Sequence, residues 1–238
     1  MNKIAIITGG SGSLGLELIQ QYLDKEYIVY AIYNSKEIPI ENHHLLKYSY
    51  DLEKETDFNE IVQDVQKNID SDSLVAIVSA AGIYGKSNIE DFQYEECYKY
   101  MNINSFSFLS LYSKLFPIIK NSSLCNVVLI STNLLKRLNK GSIYYGLSKS
   151  LNNQIIKHIA YEHGEFHILA NAIAPGMFIS NMNKDMEPQK IENITQNIPI
   201  KKMLKACDLA SYIVNFTEQN QYITGEIITI DGGNTLGY

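Results

Sequence analysis

The sequence predicts an α/β fold: a doubly wound, seven-stranded parallel sheet with helices on both faces. Three observations point there. Short apolar runs rich in β-branched residues recur along the whole chain, and amphipathic stretches with helical spacing separate them. A glycine-rich turn joins the first run to the first amphipathic stretch. At 238 residues the chain can bury most of what it would expose unfolded, yet it is short enough for one domain spanning 1–238.

The elements follow in order. "KIAIIT" (3–8) is the first strand, and "LGLELIQQYLDK" carries the first helical periodicity. The strands "YIVYAIY" (27–33) and "LLKYSY" (45–50) come next, then the helical "FNEIVQDVQKNI". The strand "LVAIVSA" (74–80) precedes the long helical stretch "YEECYKYMNINSFSFLSLYSKLFPIIK", and "NVVLIS" (126–131) precedes "SLNNQIIKHIAYEHG". "HILANAIA" (167–174) and "EIITID" (226–231) complete the seven strands. Residues 177–203, polar and Met-rich between two helical signals, read as a mobile flap. The chain has no internal repeat or Pro/Gly-rich linker.

Composition excludes several functions. A net charge of −6, with Arg137 the only arginine, leaves no basic face for a nucleic acid. No apolar run is long enough to span a bilayer, and "MNKIAIITGG" turns to glycine too soon for a signal peptide, so a cytoplasmic protein is expected. Cys97, Cys125 and Cys207 show no metal-type pairing and read as packing residues in a reducing compartment. His163 and His167 are separated by Gly164 where helix passes to strand, so no metal site is expected.

The turn "TGGSGSLG" (8–15) stands between strand and helix, the setting of a Rossmann-like phosphate cradle. Glycines there let backbone amides approach a pyrophosphate, and the helix start presents unpaired N–H groups and the positive end of its dipole. Where a carboxylate would hold a ribose 2′-hydroxyl, "IYNSKE" offers Asn34, Ser35 and Lys36, which favours NADP(H) while leaving NAD(H) open.

"IYYGLSKS" (143–150) holds two tyrosines and a lysine. Tyr145 and Lys149, four apart on a helix, share a face, whereas Tyr144 and Lys149 diverge. An ammonium beside a phenol lowers the phenol's pKa from about 10, as an acid–base tyrosine needs.

With the glycine turn, the strand order and Y-x-x-x-K together, the chain resembles the single-domain short-chain dehydrogenases/reductases over essentially its whole length. The family's T-G-x-x-x-G-x-G is met by Thr8, Gly9 and Gly15, but Ser13 replaces the middle glycine and Gly12 stands one place earlier, where NADP users often carry a basic residue. The resemblance therefore assigns cofactor contacts to Thr8, Gly9, Gly10, Ser11, Gly12, Ser13, Leu14 and Gly15, with a locally reshaped turn. Asp51 and Leu52 would hold the adenine. "SAAG" keeps Ala81 and Gly82 of N-N-A-G, after Ala80, but loses both asparagines. "APGMFIS" matches P-G-x-x-x-T, so Pro175, Gly176, Ile179 and Ser180 would line the nicotinamide.

The same resemblance makes Tyr145 the catalytic acid/base and Lys149 its partner, which also holds the cofactor ribose. Tyr144 shapes the pocket. Asn102 continues the proton relay. The catalytic hydroxyl, thirteen residues before the tyrosine, falls on Thr132, with Ser131 the alternative. The implied reaction interconverts a ketone and a secondary alcohol by hydride transfer, without a metal. Within the family the stretch from 180 to 216 is most similar to 3-oxoacyl-acyl-carrier-protein reductases. Such enzymes dock an acidic carrier on basic residues; Lys114 and Lys120 are present, but Glu165 and Phe166 stand where a second basic patch is expected. The substrate is thus an acyl-carrier-bound ketone or, alternatively, a small ketone or sugar intermediate. An epimerase or dehydratase would need a longer chain, and a non-catalytic nucleotide sensor would usually lack the tyrosine or lysine. Family helix pairing implies a homotetramer, with a homodimer next.

Overall fold

The structure is a computed structural model that describes residues 1–180 and 186–236. Seven strands form one parallel sheet in the order β3-β2-β1-β4-β5-β6-β7. They are β1 Lys3–Thr8, β2 Ile28–Tyr33, β3 Leu45–Ser49, β4 Leu74–Ser79, β5 Leu124–Ile130, β6 Ile168–Pro175 and β7 Ile227–Ile230. All seven expected strands are present, within two residues at each end. The order reverses between β1 and β4, which places a crevice at the carboxyl ends of those strands, where open α/β sheets bind ligands.

The strands are continuous apolar runs because both faces are covered. On one face Ile4, Ile6, Ile77 and Val127 pack against Ile61 and Val65 of α2 (Asn59–Asn68), Phe108 and Leu111 of α4 (Ser107–Ile119), and Ile156 of α5 (Ile143–His163). On the other face Ala5, Ile7, Val29 and Val78 pack against Leu18 and Tyr22 of α1 (Ser13–Asp24) and against Leu209 and Ile213 of α7 (Ala206–Gln219).

Three helical features differ from the sequence reading. The expected long helix is α3 (Tyr94–Met101) and α4 joined by a π-helical turn, Asn102–Phe106. Helix α5 starts at Ile143, seven residues before the periodicity becomes clear, so Tyr145 and Lys149 lie in its first turns. The segment 177–203, read as a flap, carries helix α6, Pro188–Asn197, with proline at its start; residues 181–185 lie outside the described part. Among the described residues no helix is long and apolar enough to cross a membrane, and no group of His, Cys, Asp and Glu could hold a metal.

Candidate active site

The first turn is shaped by what glycine permits. Gly9 has φ +74°, and a Cβ there would lie 2.6 Å from the Ala81 nitrogen. A Cβ on Gly15 would lie 2.1 Å from the Gly9 carbonyl oxygen, so the start of α1 rides directly on the turn. The Gly12 N–H donates to the Gly9 carbonyl at 3.0 Å, the Gly10 N–H to Ile32 at 2.8 Å, and α1 then begins at Ser13. Gly12 brings no side chain to cap α1, and no acidic residue stands in its first turn, so the positive end of the helix is uncompensated from within. Thr8 fixes the neighbouring strand: its hydroxyl accepts the Ala81 N–H at 3.2 Å and donates to the Ser79 hydroxyl at 3.4 Å.

The other residues assigned to the cofactor lie along this carboxyl edge. Asn34, Ser35 and Lys36 are exposed just beyond β2, with the Asn34 carbonyl accepting from the Ser49 hydroxyl at 3.0 Å. Beyond β3, Asp51 accepts the Glu53 N–H at 3.1 Å and pairs with Lys54 at 3.4 Å, while Leu52 is buried. Ala80, Ala81 and Gly82 follow β4. Pro175 ends β6; the Gly176 N–H donates to Ile230 at 2.8 Å, and a Cβ there would crowd Asp231 at 3.0 Å. Ile179 is exposed and Ser180 half-buried.

Helix α5 brings Tyr145 and Lys149 to the end of β5. The Thr132 side chain stands close enough to the Tyr145 phenol to oppose the rise in its pKa, while the Thr132 hydroxyl accepts the Leu134 N–H at 3.2 Å. Ser131, one residue earlier, is buried with its hydroxyl unpartnered among the described residues, and it does not reach Tyr145. Of the two hydroxyls, therefore, Thr132 is the one beside the phenol. The Lys149 ammonium lies 5.8 Å from the Tyr145 ring centroid and donates to the Ile130 carbonyl at 2.7 Å. Lys149 is only 3 % exposed.

The assignment of Asn102 needs correction. Its amide donates to the Glu53 carbonyl at 2.9 Å, on the outer side of the α3–α4 rod and away from Lys149. The asparagine that turns inward is Asn104, 1 % exposed. Its Oδ1 accepts the Ile83 N–H at 2.8 Å, and its Nδ2 donates to the Ile83 carbonyl at 3.2 Å and the Ser148 hydroxyl at 2.8 Å. A Cβ on Gly82 would meet Asn104 Oδ1 at 3.3 Å and Lys149 Nζ at 3.4 Å, so both groups converge on that glycine. The physical reason is the π turn. It changes the angular step along the helix, and the inward position becomes 104. Ser105 and Ser148 then staple the turn to α5: the Ser105 hydroxyl donates to the Ser148 carbonyl at 2.7 Å, and the Ser148 hydroxyl to the Tyr145 carbonyl at 2.8 Å.

Electrostatics also departs from the simple ammonium–phenol picture. Burial pushes the Tyr145 phenol up to about 12, opposed by the Thr132 side chain and reinforced by Tyr84. Burial lowers Lys149 to about 8. The expected lowering of the phenol by the ammonium is therefore overridden, because desolvation disfavours both charged forms. Tyr145 keeps its proton at neutral pH, the form that serves as an acid.

One further aromatic completes the site. Tyr84, half-exposed, sets its ring edge-on to Tyr145 with centroids 5.0 Å apart. No local pattern in "AAGIYG" marks it. Tyr144 does not line the pocket. It is buried against Phe92 and Tyr100, and its hydroxyl accepts the Gln93 N–H at 2.5 Å, tying α5 to the start of α3.

A glycine cradle at the first crossover of a doubly wound sheet, with a buried Tyr–Lys pair and a hydroxyl at the end of β5, defines a nucleotide-binding oxidoreductase type of site. A family model described as enoyl-(acyl carrier protein) reductase matches residues 14–235. The chain belongs to the short-chain dehydrogenase/reductase family. It is 26% identical over 252 residues to a rhamnolipids biosynthesis 3-oxoacyl-[acyl-carrier-protein] reductase of Pseudomonas aeruginosa, covering 97% of this chain and 95% of that one. Among solved structures, a 4-hydroxyisoleucine dehydrogenase complexed with NADH superposes with a TM-score of 0.88 at 22% identity, covering 100% of both chains. The RhlG/NADP active-site complex of Pseudomonas aeruginosa superposes with a TM-score of 0.84 at 24% identity, covering 98% of this chain and 96% of that one.

Proposed function

We propose that the chain is an NADP(H)-dependent reductase that interconverts a ketone and a secondary alcohol, with Tyr145 as the acid/base. The observation that carries this reading is the buried constellation of Thr132, Tyr145 and Lys149, with Asn104 beside Lys149 at Gly82. The cradle fits a dinucleotide: Gly9 and Gly15 let the turn pack tightly against the end of β4 and the start of α1, and α1 begins there with no side-chain cap and no acidic residue in its first turn, which leaves its N-terminal N–H groups to a pyrophosphate. Asn34, Ser35 and Lys36 would receive a 2′-phosphate, Asp51 and Leu52 the adenine, and Pro175, Gly176, Ile179 and Ser180 the nicotinamide. Bound NADPH supplies the hydride for the carbonyl carbon.

The chain's own residues handle the oxygen. Thr132 donates a hydrogen bond to the substrate carbonyl and Tyr145 transfers its proton to that oxygen as the alcohol forms. Lys149, held by the Ile130 carbonyl, stabilises the phenolate left behind and returns a proton to it, with Asn104 in the place assigned to Asn102. The substrate is an acyl-carrier-bound ketone or a small ketone; the named relative acts in acyl-carrier chemistry and supports the first.

We also infer a cytoplasmic homotetramer, with a homodimer next. Tyr94, Tyr98, Phe106 and Leu109 along the α3–α4 rod, and Leu147 on α5, are exposed apolar residues that a second copy would cover. The function is tested by following NADPH oxidation against acetoacetyl thioesters, diketones, quinones and keto-sugars. Consumption with at least one ketone class is expected, and it must vanish in Tyr145→Phe. No consumption with any class, or equal consumption by the variant, rejects the reading.

A further inference from the structure

Between the end of β5 and α5, beneath the catalytic pair, buried polar side chains gather around one carbonyl. Lys149 donates to the Ile130 carbonyl at 2.7 Å, and Asn152 Nδ2, from the next turn of α5, approaches the same oxygen at 3.4 Å. Ser131 follows Ile130 in the chain. Val127 and Leu129 pack with Ile156 and Ile159 of α5, whereas Val128 and Ile130 pack on the opposite face with Leu209 and Ile213 of α7, so strand alternation turns Ser131 toward α5. Lys149, Asn152 and Ser131 are all buried.

The protein does not satisfy these groups. Asn152 Oδ1 and the Ser131 hydroxyl have no partner among the described residues, and Lys149, with three N–H donors, has the Ile130 carbonyl as its one acceptor there. Turning the Asn152 amide over does not help, because its oxygen would then face the Ile130 oxygen. Nor does packing explain the residue. Asn152 begins the inward stripe that Ile156 and Ile159 continue, where an apolar side chain would bury well. Buried polar atoms nearly always find a partner in the protein or in ordered water.

We propose that an internal water is bound among Lys149, Ser131 and Asn152, and that Asn152, acting through it, is a positioning residue for the lysine. The water accepts from the Lys149 ammonium and the Ser131 hydroxyl and donates to Asn152 Oδ1, and about three bonds is the usual number for a buried water. It is separate from Asn104, whose amide is committed to Ile83 and Ser148 and which meets Lys149 at Gly82, beyond β4. A second acceptor holds the proton on an ammonium that burial drives toward its neutral form. What the held lysine then does rests on the reductase reading; the water and its effect on Lys149 do not.

Two measurements test this. A high-resolution crystal structure of the unaltered protein should show a water within hydrogen-bond distance of Lys149 Nζ, Ser131 Oγ and Asn152 Oδ1. Lysine side-chain NMR should show Lys149 shedding its proton at lower pH in Asn152→Leu, by about 0.5 unit or more, which is roughly a threefold rise in its acid dissociation constant. Ser131→Ala should shift it the same way by less, and it supplies the comparison if Asn152→Leu does not fold. The titratable group facing Lys149 is Tyr145, with Tyr84 beside that ring; the π-helical turn and β6 contain none, and the one in β5, Cys125, lies at its far end. Both variants keep both tyrosines, so the shift reads the water site. A direct bond between Asn152 and Ser131 with no water between them overturns the proposal. A Lys149 titration that neither variant moves overturns the positioning role. If the chain reduces no ketone, the reductase reading falls while the crystallographic and NMR results stand on their own.

Discussion

Replacing Lys149 by methionine should make the protein more stable while abolishing turnover. Burial lowers the folded-state pKa of this lysine from 10.5 to about 8. At about 1.36 kcal/mol per pH unit, the buried ammonium costs about 3 kcal/mol near neutral pH. The bond from Nζ to the Ile130 carbonyl returns roughly 1–1.5 kcal/mol of interaction that methionine forfeits, and Asn152 still approaches that carbonyl at 3.4 Å. The balance is a gain of about 2 kcal/mol for Lys149→Met, or roughly 4–8 °C in Tm for a chain of this size. The sign with pH follows from linkage. Between about 8 and 10.5 the unfolded chain binds the proton and the folded chain has shed it, so the unaltered protein gains stability as pH rises and the advantage of the variant shrinks. Below about 8 the full difference is present. Urea denaturation of both proteins at pH 7, 8.5 and 10 without nucleotide reads it directly. A variant that is less stable at pH 7, by an amount that does not change up to pH 10, would show that Lys149 is not a desolvated ammonium and refute the reasoning.

The other predictions concern neighbours of the pair. Asn104→Ala removes the bonds to Ile83 and Ser148 and should destabilise by about 1–3 kcal/mol and cut turnover at least tenfold; Asn102→Ala should do neither, as thermal melts and steady-state rates will show. Thr132→Val should cost turnover about 10²–10³, the usual loss of one preorganised donor, whereas Ser131→Ala should leave rates within about tenfold because that hydroxyl touches no partner. Nucleotide titrations should favour NADPH over NADH, and Lys36→Asp should reverse the order by placing a carboxylate where the 2′-phosphate would sit.

The sheet was legible because both its faces are covered, which leaves strands such as "KIAIIT" and "LVAIVSA" as unbroken apolar runs that no helix could bury as well. Tyr145, Lys149 and Thr132 were legible too, since their relation depends on local spacing along α5 and on a loop of fixed length. Asn104 was not. "MNINSF" offers two asparagines, and the choice between them rests on a π turn whose cause is tertiary: Ser148, Ile83 and Gly82 accept one register only. The pKa directions were equally hidden. Spacing shows that an ammonium can approach a phenol, but the burial that reverses its effect on Tyr145 depends on the whole of α5 packing against β5 and β6. Helix α6 was missed because it is a surface helix with no buried residue, and its large apolar residues, Ile191 and Ile194, are too few to set a polar ten-residue segment apart from a loop.

The central claim, that Tyr145 is the proton donor in a hydride-transfer reaction, is tested most directly by Tyr145→Phe on the ketone found by the NADPH screen. The ring and its edge-on contact with Tyr84 are kept, and only the hydroxyl is removed. Turnover should fall by roughly 10²–10⁴ while the NADPH dissociation constant changes less than about threefold. Turnover that stays within threefold of the unaltered protein would contradict the account.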